Sequence, residues 1–364
     1  MGTKLGLTKT QIFFLIVHTQ IGIGMLNLPH KIQGTAKHDG WISILLAGLC
    51  IQGILFLYWL LMRRFPNSDF YKITQSVLGI HLGRVCNLAI YVYLIITSAF
   101  VLLVATQMIR EILLNRTPYW AVGLLIFIMC MYICNSSIHV LARILTVLSV
   151  TFLFLFLLSL FPFTLDMDLK NLLPIGSSGV KNIVFGVNDS LISLFGFEII
   201  LFLYPLAAEK NKAFLKNISY INLFVVCITV YLTILAMVVF SNKVIAQVKY
   251  PVIYIFRPIQ LMSLDRIDQL FFSIWSIPMV LSVSVYVFFA SKFLKNNRKH
   301  RSIPILLTGG LAFVLFLLAE KTDAMIEQYS NIVTIFGFLI IGIVPLVLLV
   351  TSILLRIEEK EDTI

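Results

Sequence analysis

The sequence predicts an all-α membrane protein of ten transmembrane helices, arranged as a 5+5 inverted repeat whose first and sixth helices are broken. Three observations carry this. The 364-residue chain is 59% hydrophobic and only 12% charged, with a mean hydropathy of +0.97, far outside soluble globular composition. Apolar runs of the ~20 residues needed to cross ~30 Å of hydrocarbon recur ten times along it. Two of those runs, half a chain apart, are interrupted near their middles by glycine and polar residues.

The runs cover residues 8–28, 41–62, 85–109, 119–136, 140–161, 183–204, 217–240, 269–291, 303–319 and 334–355. The first lacks a small-residue cleavage site and continues to Leu28, so it is expected to stay in the product rather than act as a signal peptide. An even number of spans puts both termini on one side. With that side cytoplasmic, the inner loops hold 17 of the 28 Lys and Arg, the bias expected of cytoplasmic loops.

Two loops carry more than a turn. "SDFYKITQSVLGIHLGR" (68–84) is too polar to cross, yet Phe70, Ile73, Val77 and Leu78 form one helical stripe, which predicts an amphipathic helix at the inner surface. "YPVIYIFRPIQLMSLDR" (250–266) is similar in size and character but falls on the outer side. Corresponding elements on opposite faces are what an inverted repeat produces, so the chain reads as a single membrane domain over 1–364, with repeat one at 8–161 and repeat two at 183–355.

The first and sixth spans then correspond. The first contains "HTQIGIGMLNLPH" (18–30), with Gly22 and Gly24 beside Thr19. The sixth contains "IVFGVNDSLISLFGFEIILFLYP" (183–205), with Gly196 between Phe195 and Phe197 and the carboxylate of Glu198 next. Glycine inside a helix costs ~1 kcal/mol against alanine, and an uncompensated charge at bilayer depth at least ~2.5 kcal/mol. A lone glycine is explained by close helix approach; matched breaks point to a binding site. Unwinding frees backbone N–H and C=O groups, which is tolerable only where they line a cavity and are satisfied by a ligand, water or side chains. The N–H groups around Gly22, Ile23 and Gly24, at the positive end of the following half-helix, suit a carboxylate, and carbonyls near Phe195 and Gly196 suit an ammonium group. The matching ligand class is a small amino acid.

Other classes fit poorly. The net charge of +11 is scattered through short membrane-flanking loops, which points to anionic lipid headgroups and not to nucleic acid. Cys130 and Cys134, four apart, have no neighbouring His or carboxylate and read as small packing residues. No carboxylate pair, His cluster or nucleophile with a base is spaced for an enzyme, and no cofactor or metal is called for.

The motifs "GIGMLNLP" and "FGFE" resemble the signatures of the amino acid, polyamine and organocation permease superfamily, which has a LeuT-like ten-span core. The whole chain further resembles the B-subunit family of bacterial spore germinant receptors, the GerAB type. The resemblance rests on "GIGMLNLPH" followed by "GW", "FPNSDFYKI", "LLNRTP", "SLFGFEIILFLYP" and a basic loop after the eighth span. Members carry an acid straight after the proline ending the sixth span. Here "YPLAAEK" delays it to Glu209, so a role borrowed for that acid does not carry over.

In that fold the ligand site lies between spans one, three, six and eight. The resemblance therefore implies roles for Tyr93 and Thr97, four apart on the third span, and for Ser282 and Tyr286, four apart on the eighth. Phe195, Phe197, Tyr93 and Tyr286 would form a mainly apolar compartment, so the expected ligand is neutral, an apolar amino acid first and a neutral sugar or similar solute second. His18 reads as a polar helix contact and Asp189 as lining of the outer vestibule. The function implied is a nutrient-sensing subunit in the spore inner membrane, working with a larger A-type membrane subunit and a C-type lipoprotein, both termini facing the spore core. The alternative is a proton-coupled amino acid permease with Glu198 as the titrating group.

Overall fold

The computed structural model describes residues 6–259, 265–294, 302–319 and 322–359, which contain sixteen α-helices and no strand beyond one isolated bridge, Leu7 to Ala207. The helices are α1 (Lys9–Gln20), α2 (Ile23–Thr35), α3 (Gly40–Arg64), α4 (Phe70–Ile112), α5 (Tyr119–Cys134), α6 (Ile138–Leu148), α7 (Val150–Leu158) and α8 (Val180–Ser193). They continue as α9 (Ile200–Leu203), α10 (Asn211–Val239), α11 (Asn242–Gln247), α12 (Pro251–Tyr254), α13 (Ile267–Ser291), α14 (Ser302–Leu318), α15 (Asp323–Gly337) and α16 (Val344–Leu354).

Six of the ten expected spans are helical stretches long and apolar enough to cross: Lys37–Arg64, Phe70–Ile112, Ile138–Thr164, Asn211–Val239, Ile267–Ser291 and Ala324–Leu354. The first and sixth are bent pairs, α1 with α2 at 49° and α8 with Phe197–Leu206 at 56°, which bring the number to eight. α5 and α14, of 16 and 17 residues, occupy the fourth and ninth expected runs. At 1.5 Å per residue they reach about 24–26 Å, a little less than the hydrocarbon thickness, so the count of ten depends on those two.

Local chemistry sets several boundaries. Thr8 and Gln11 form a reciprocal capping box at the start of α1, Asp69 caps α4 through the Lys72 N–H, and Ser137 caps α6. The amphipathic stripe at Phe70, Ile73 and Val77 is buried as expected, but its helix is shorter than 68–84. Gly79, at φ +78°, turns the chain, and the third span begins immediately afterwards instead of at 85. The elbow is sealed by Asn87, which donates to the Tyr71 carbonyl at 2.8 Å and accepts from Thr74. The loop before α13 does not mirror it. Two short helices, α11 and α12, stand there, and residues 260–264 of the 250–266 segment lie outside the described residues, as does most of the basic loop after the eighth span, 295–301.

α13 is the central post. Every residue from Pro278 to Ser291 is buried, the signature of a helix surrounded by protein on all sides. α4 and α1 pack along it, and Glu198 and Phe202 of the sixth run reach its Tyr286 and Phe289. At one end of the bundle a polar network joins four segments. The Leu7 N–H donates to Leu206 O at 2.7 Å, the Ala208 N–H to Leu7 O at 2.9 Å, and Lys9 pairs with Glu209 at 2.8 Å. Lys210 reaches Pro66 O and Asn67, while Glu359 accepts from the Asn67 N–H and from Ser68. Both described ends of the chain therefore lie on one face, with the loops after the second and sixth spans.

Candidate functional site

The two helix breaks cross each other. Gly196 sits at φ +123°, a conformation that side-chain-bearing residues rarely adopt, and a Cβ there would fall 2.6 Å from the Thr19 carbonyl oxygen. A Cβ on Gly24 would fall 2.6 Å from Ser193 Cα. Gly22 differs, since the nearest atom to a Cβ would be 4.0 Å away and its φ of −131° is outside the left-handed region. The crossing is fastened by Gln20, whose side-chain amide donates to Leu194 O at 3.0 Å, and by Trp275 of α13, whose indole N–H donates to Gly22 O at 3.1 Å.

Glu198 is the hub. Its side chain is buried; Oε1 accepts from the hydroxyls of both Tyr93 and Tyr286 at 2.9 Å, and Oε2 accepts from the Gly196 N–H at 2.7 Å. The carboxylate thus caps the start of its own helical segment, where the helix dipole favours negative charge, and ties spans three, six and eight together. These hydrogen bonds satisfy a buried carboxyl group whose burial unpaired would be costly. At the first break, α2 begins at Ile23 without a side-chain cap. The Ile23 side chain lies outside the described residues.

The remaining expected residues divide. Thr97 is buried near the Tyr93 hydroxyl but makes no hydrogen bond of good geometry. Ser282 bonds back within α13, to Pro278 O at 2.9 Å and Met279 O at 2.8 Å, and Thr19 bonds back to Leu15 O at 2.7 Å. Phe195 points toward the tenth span, edge-on to Phe338 at 6.0 Å and over Gly337, while Phe197 is buried beside Tyr58 at 6.2 Å. Near His18, Nε2 contacts Leu145 O at 2.9 Å and the ring leans on Phe152. Asp189 accepts from Thr35 at 3.0 Å, joining α8 to α2. Cys130 and Cys134 are buried and donate to α13 carbonyls, and no cluster of three metal-ligating side chains occurs among the described residues.

Several contributors were not singled out from sequence. Gln20 stood in plain view beside the glycines, and its position was the available signal. Trp275 and Ser193 carry no spacing cue for contacts made hundreds of residues apart or across a helix crossing. Between α15 and α16 the tenth span widens into a π-helix, Phe338–Ile343, and the Tyr58 hydroxyl donates to Ile341 O within it at 2.7 Å. Such segments release a carbonyl from the regular ladder and recur at functional sites.

Comparison with known proteins sets this geometry in context. The Spore_permease family, described as spore germination protein, matches residues 6–326. The chain is similar to spore germination protein GerQB of Bacillus cereus, 26% identical over 290 residues and 78% of each chain. It is also similar to GerLB of Bacillus cereus, 27% identical over 96% of this chain and 94% of the relative, and to YndE of Bacillus subtilis (strain 168), 24% identical over 95% and 96%. Among solved structures, a manganese transporter mutant of Eremococcus coleocola superposes with a TM-score of 0.59 at 12% identity, covering 93% of this chain and 77% of that one, a likeness of fold.

Proposed function

We propose that this chain, which belongs to the spore germination protein family, is the permease-like subunit that senses a small neutral nutrient for a germinant receptor. The carrying observation is the hub: one buried carboxylate takes hydrogen bonds from spans three and eight and from the break of span six. A zwitterionic amino acid entering the crossing would place its carboxylate at the uncapped start of α2 and its ammonium group toward Glu198 and the nearby carbonyls. To do so it displaces a tyrosine hydroxyl. Hydrogen bonds to a charged group are worth ~1.5–3 kcal/mol, the same size as a typical allosteric coupling of ~1–3 kcal/mol, so ligand binding and the release of one span from another are matched in energy.

In this reading the chain is a single integral membrane domain of two inverted repeats, in the spore inner membrane with both termini toward the spore core. It passes the change to an A-type membrane subunit and a C-type lipoprotein. The polar network joining residues 7–9, 66–68, 206–211 and 356–359 is the natural place for that change to reach a partner, because it links the moving half of span six to both chain ends. A buried mid-membrane carboxylate also supports a proton-coupled carrier, and the two readings separate on whether Glu198 must titrate. The sensing reading is tested by deleting the chain from spores and restoring it. Loss of response to one group of amino acids, regained on restoration, is expected; unchanged response to every nutrient tried overturns it.

A further inference from the structure

On the lipid-facing side of the bundle, α3 and the first turns of α10 leave a groove of about 540 Å³ walled by Phe56, Leu215 and Leu223, with Lys212 and Lys216 at its rim. We infer that this groove is a binding site for an anionic phospholipid, its phosphate held by Lys212 and Lys216 and one acyl chain lying against the apolar wall.

Lys212 and Lys216 are one helical turn apart on α10, and the Lys216 ammonium lies 5.8 Å over the ring of Tyr220 in the groove wall. Both lysines are exposed, and neither is in an ion pair among the described residues. The floor is rigid: the Trp59 indole N–H donates to Asn211 O at 2.8 Å, Gln52 donates to Ser219 at 2.8 Å, and Asn222 donates to Gly48 O at 3.0 Å. The groove is therefore built into the α3–α10 packing and is not a gap between mobile side chains.

Dimensions and level fit the occupant. From Lys212 to Leu223 the groove follows α10 for about 16 Å at ~1.5 Å per residue, close to one leaflet of a ~30 Å hydrocarbon core. Its volume lies within the ~300–1,000 Å³ of small-molecule sites. Its charged rim is on the face that carries the 66–68 and 207–211 loops, where the long Lys stems can lie along apolar surface while their ammonium groups reach the headgroup layer. A zwitterionic headgroup offsets its phosphate with its own cation; a headgroup with net negative charge gains more from two lysines without carboxylate partners.

The test uses the full chain purified in neutral detergent and titrated with phosphatidylglycerol, phosphatidylcholine or soluble glycerol phosphate, with bound lipid read by native mass spectrometry. Saturable phosphatidylglycerol binding is expected, weakened at least tenfold in the Lys212→Gln/Lys216→Gln double variant and unchanged in a Lys72→Gln/Arg84→Gln control. Equal binding of phosphatidylcholine, equal binding of glycerol phosphate, or undiminished binding by the double variant overturns the assignment. In membranes, a photo-crosslinking residue in place of Leu223 is expected to capture lipid. Capture of a partner's membrane helix instead overturns it as well.

Discussion

The hydroxyls of Tyr93 and Tyr286 meet on one atom, each donating at 2.9 Å to Oε1 of Glu198. Two helices far apart in the chain, which also pack along each other, thus share one acceptor on the broken span.

Changing Glu198 to Gln keeps an oxygen for the two tyrosines but sets an amide NH2 against the Gly196 N–H, which now donates to Oε2 at 2.7 Å. One buried bond is lost, worth ~1.5–3 kcal/mol. A sensor is expected to answer the same nutrients with potency about ten- to a hundredfold lower, whereas Glu198→Ala loses the response altogether with protein still present. Dose-response curves on spores, with immunoblots for protein level, read both. Complete silence in the Gln variant would place proton titration at the centre.

Because Tyr93 and Tyr286 share an acceptor, their removal should not be additive. Tyr93→Phe and Tyr286→Phe each strip one donor from Glu198. The double variant leaves Oε1 without a partner and is expected to destabilise the protein by more than the two single changes together. Unfolding in detergent, followed as a double-mutant cycle, gives the coupling; a value near zero means the two bonds act independently.

The glycines are expected to differ from one another. Gly196→Ala meets both a forbidden φ and the Thr19 carbonyl, so a loss of ~1–3 kcal/mol or more is expected. Gly24→Val drives its side chain into Ser193 and separates α2 from α8. Gly22→Ala has room and should fold with near-normal stability. Protein yield and thermal unfolding rank the three, and equal behaviour would mean that the crossing is looser than its contacts indicate.

Phe195 faces Gly337 and Phe338, so its loss acts through the tenth span. In a Phe195→Ala strain the potencies of alanine, valine, leucine and phenylalanine are expected to fall together and keep their order. A reordering toward bulkier ligands would put the ring against the ligand.

The breaks were legible in the sequence because their costs are local: a helix-interior glycine and a mid-run carboxylate each stand out without knowledge of any neighbour. Tyr93 and Tyr286 were expected at the ligand site through the family resemblance. Which atom they face was not legible, since an α-helix turns about 100° per residue at 3.6 residues per turn and a small error in rotation exchanges one neighbour for another. That is why Thr97 and Ser282, polar and correctly spaced, make no hydrogen bond to Glu198, and why Phe195 and Phe197 pack toward spans ten and two. The π-helix at Phe338–Ile343 has no local signature, because its apolar residues read equally well as regular α-helix.

The central claim, that a small neutral solute binds at the crossing of the broken helices and signals instead of crossing, is tested most directly by equilibrium binding of labelled amino acids to the purified chain beside uptake into proteoliposomes. Saturable binding that is lost in Glu198→Ala, with no accumulation under an imposed pH gradient, is the expected result. Concentrative, gradient-driven uptake abolished by Glu198→Gln would contradict it.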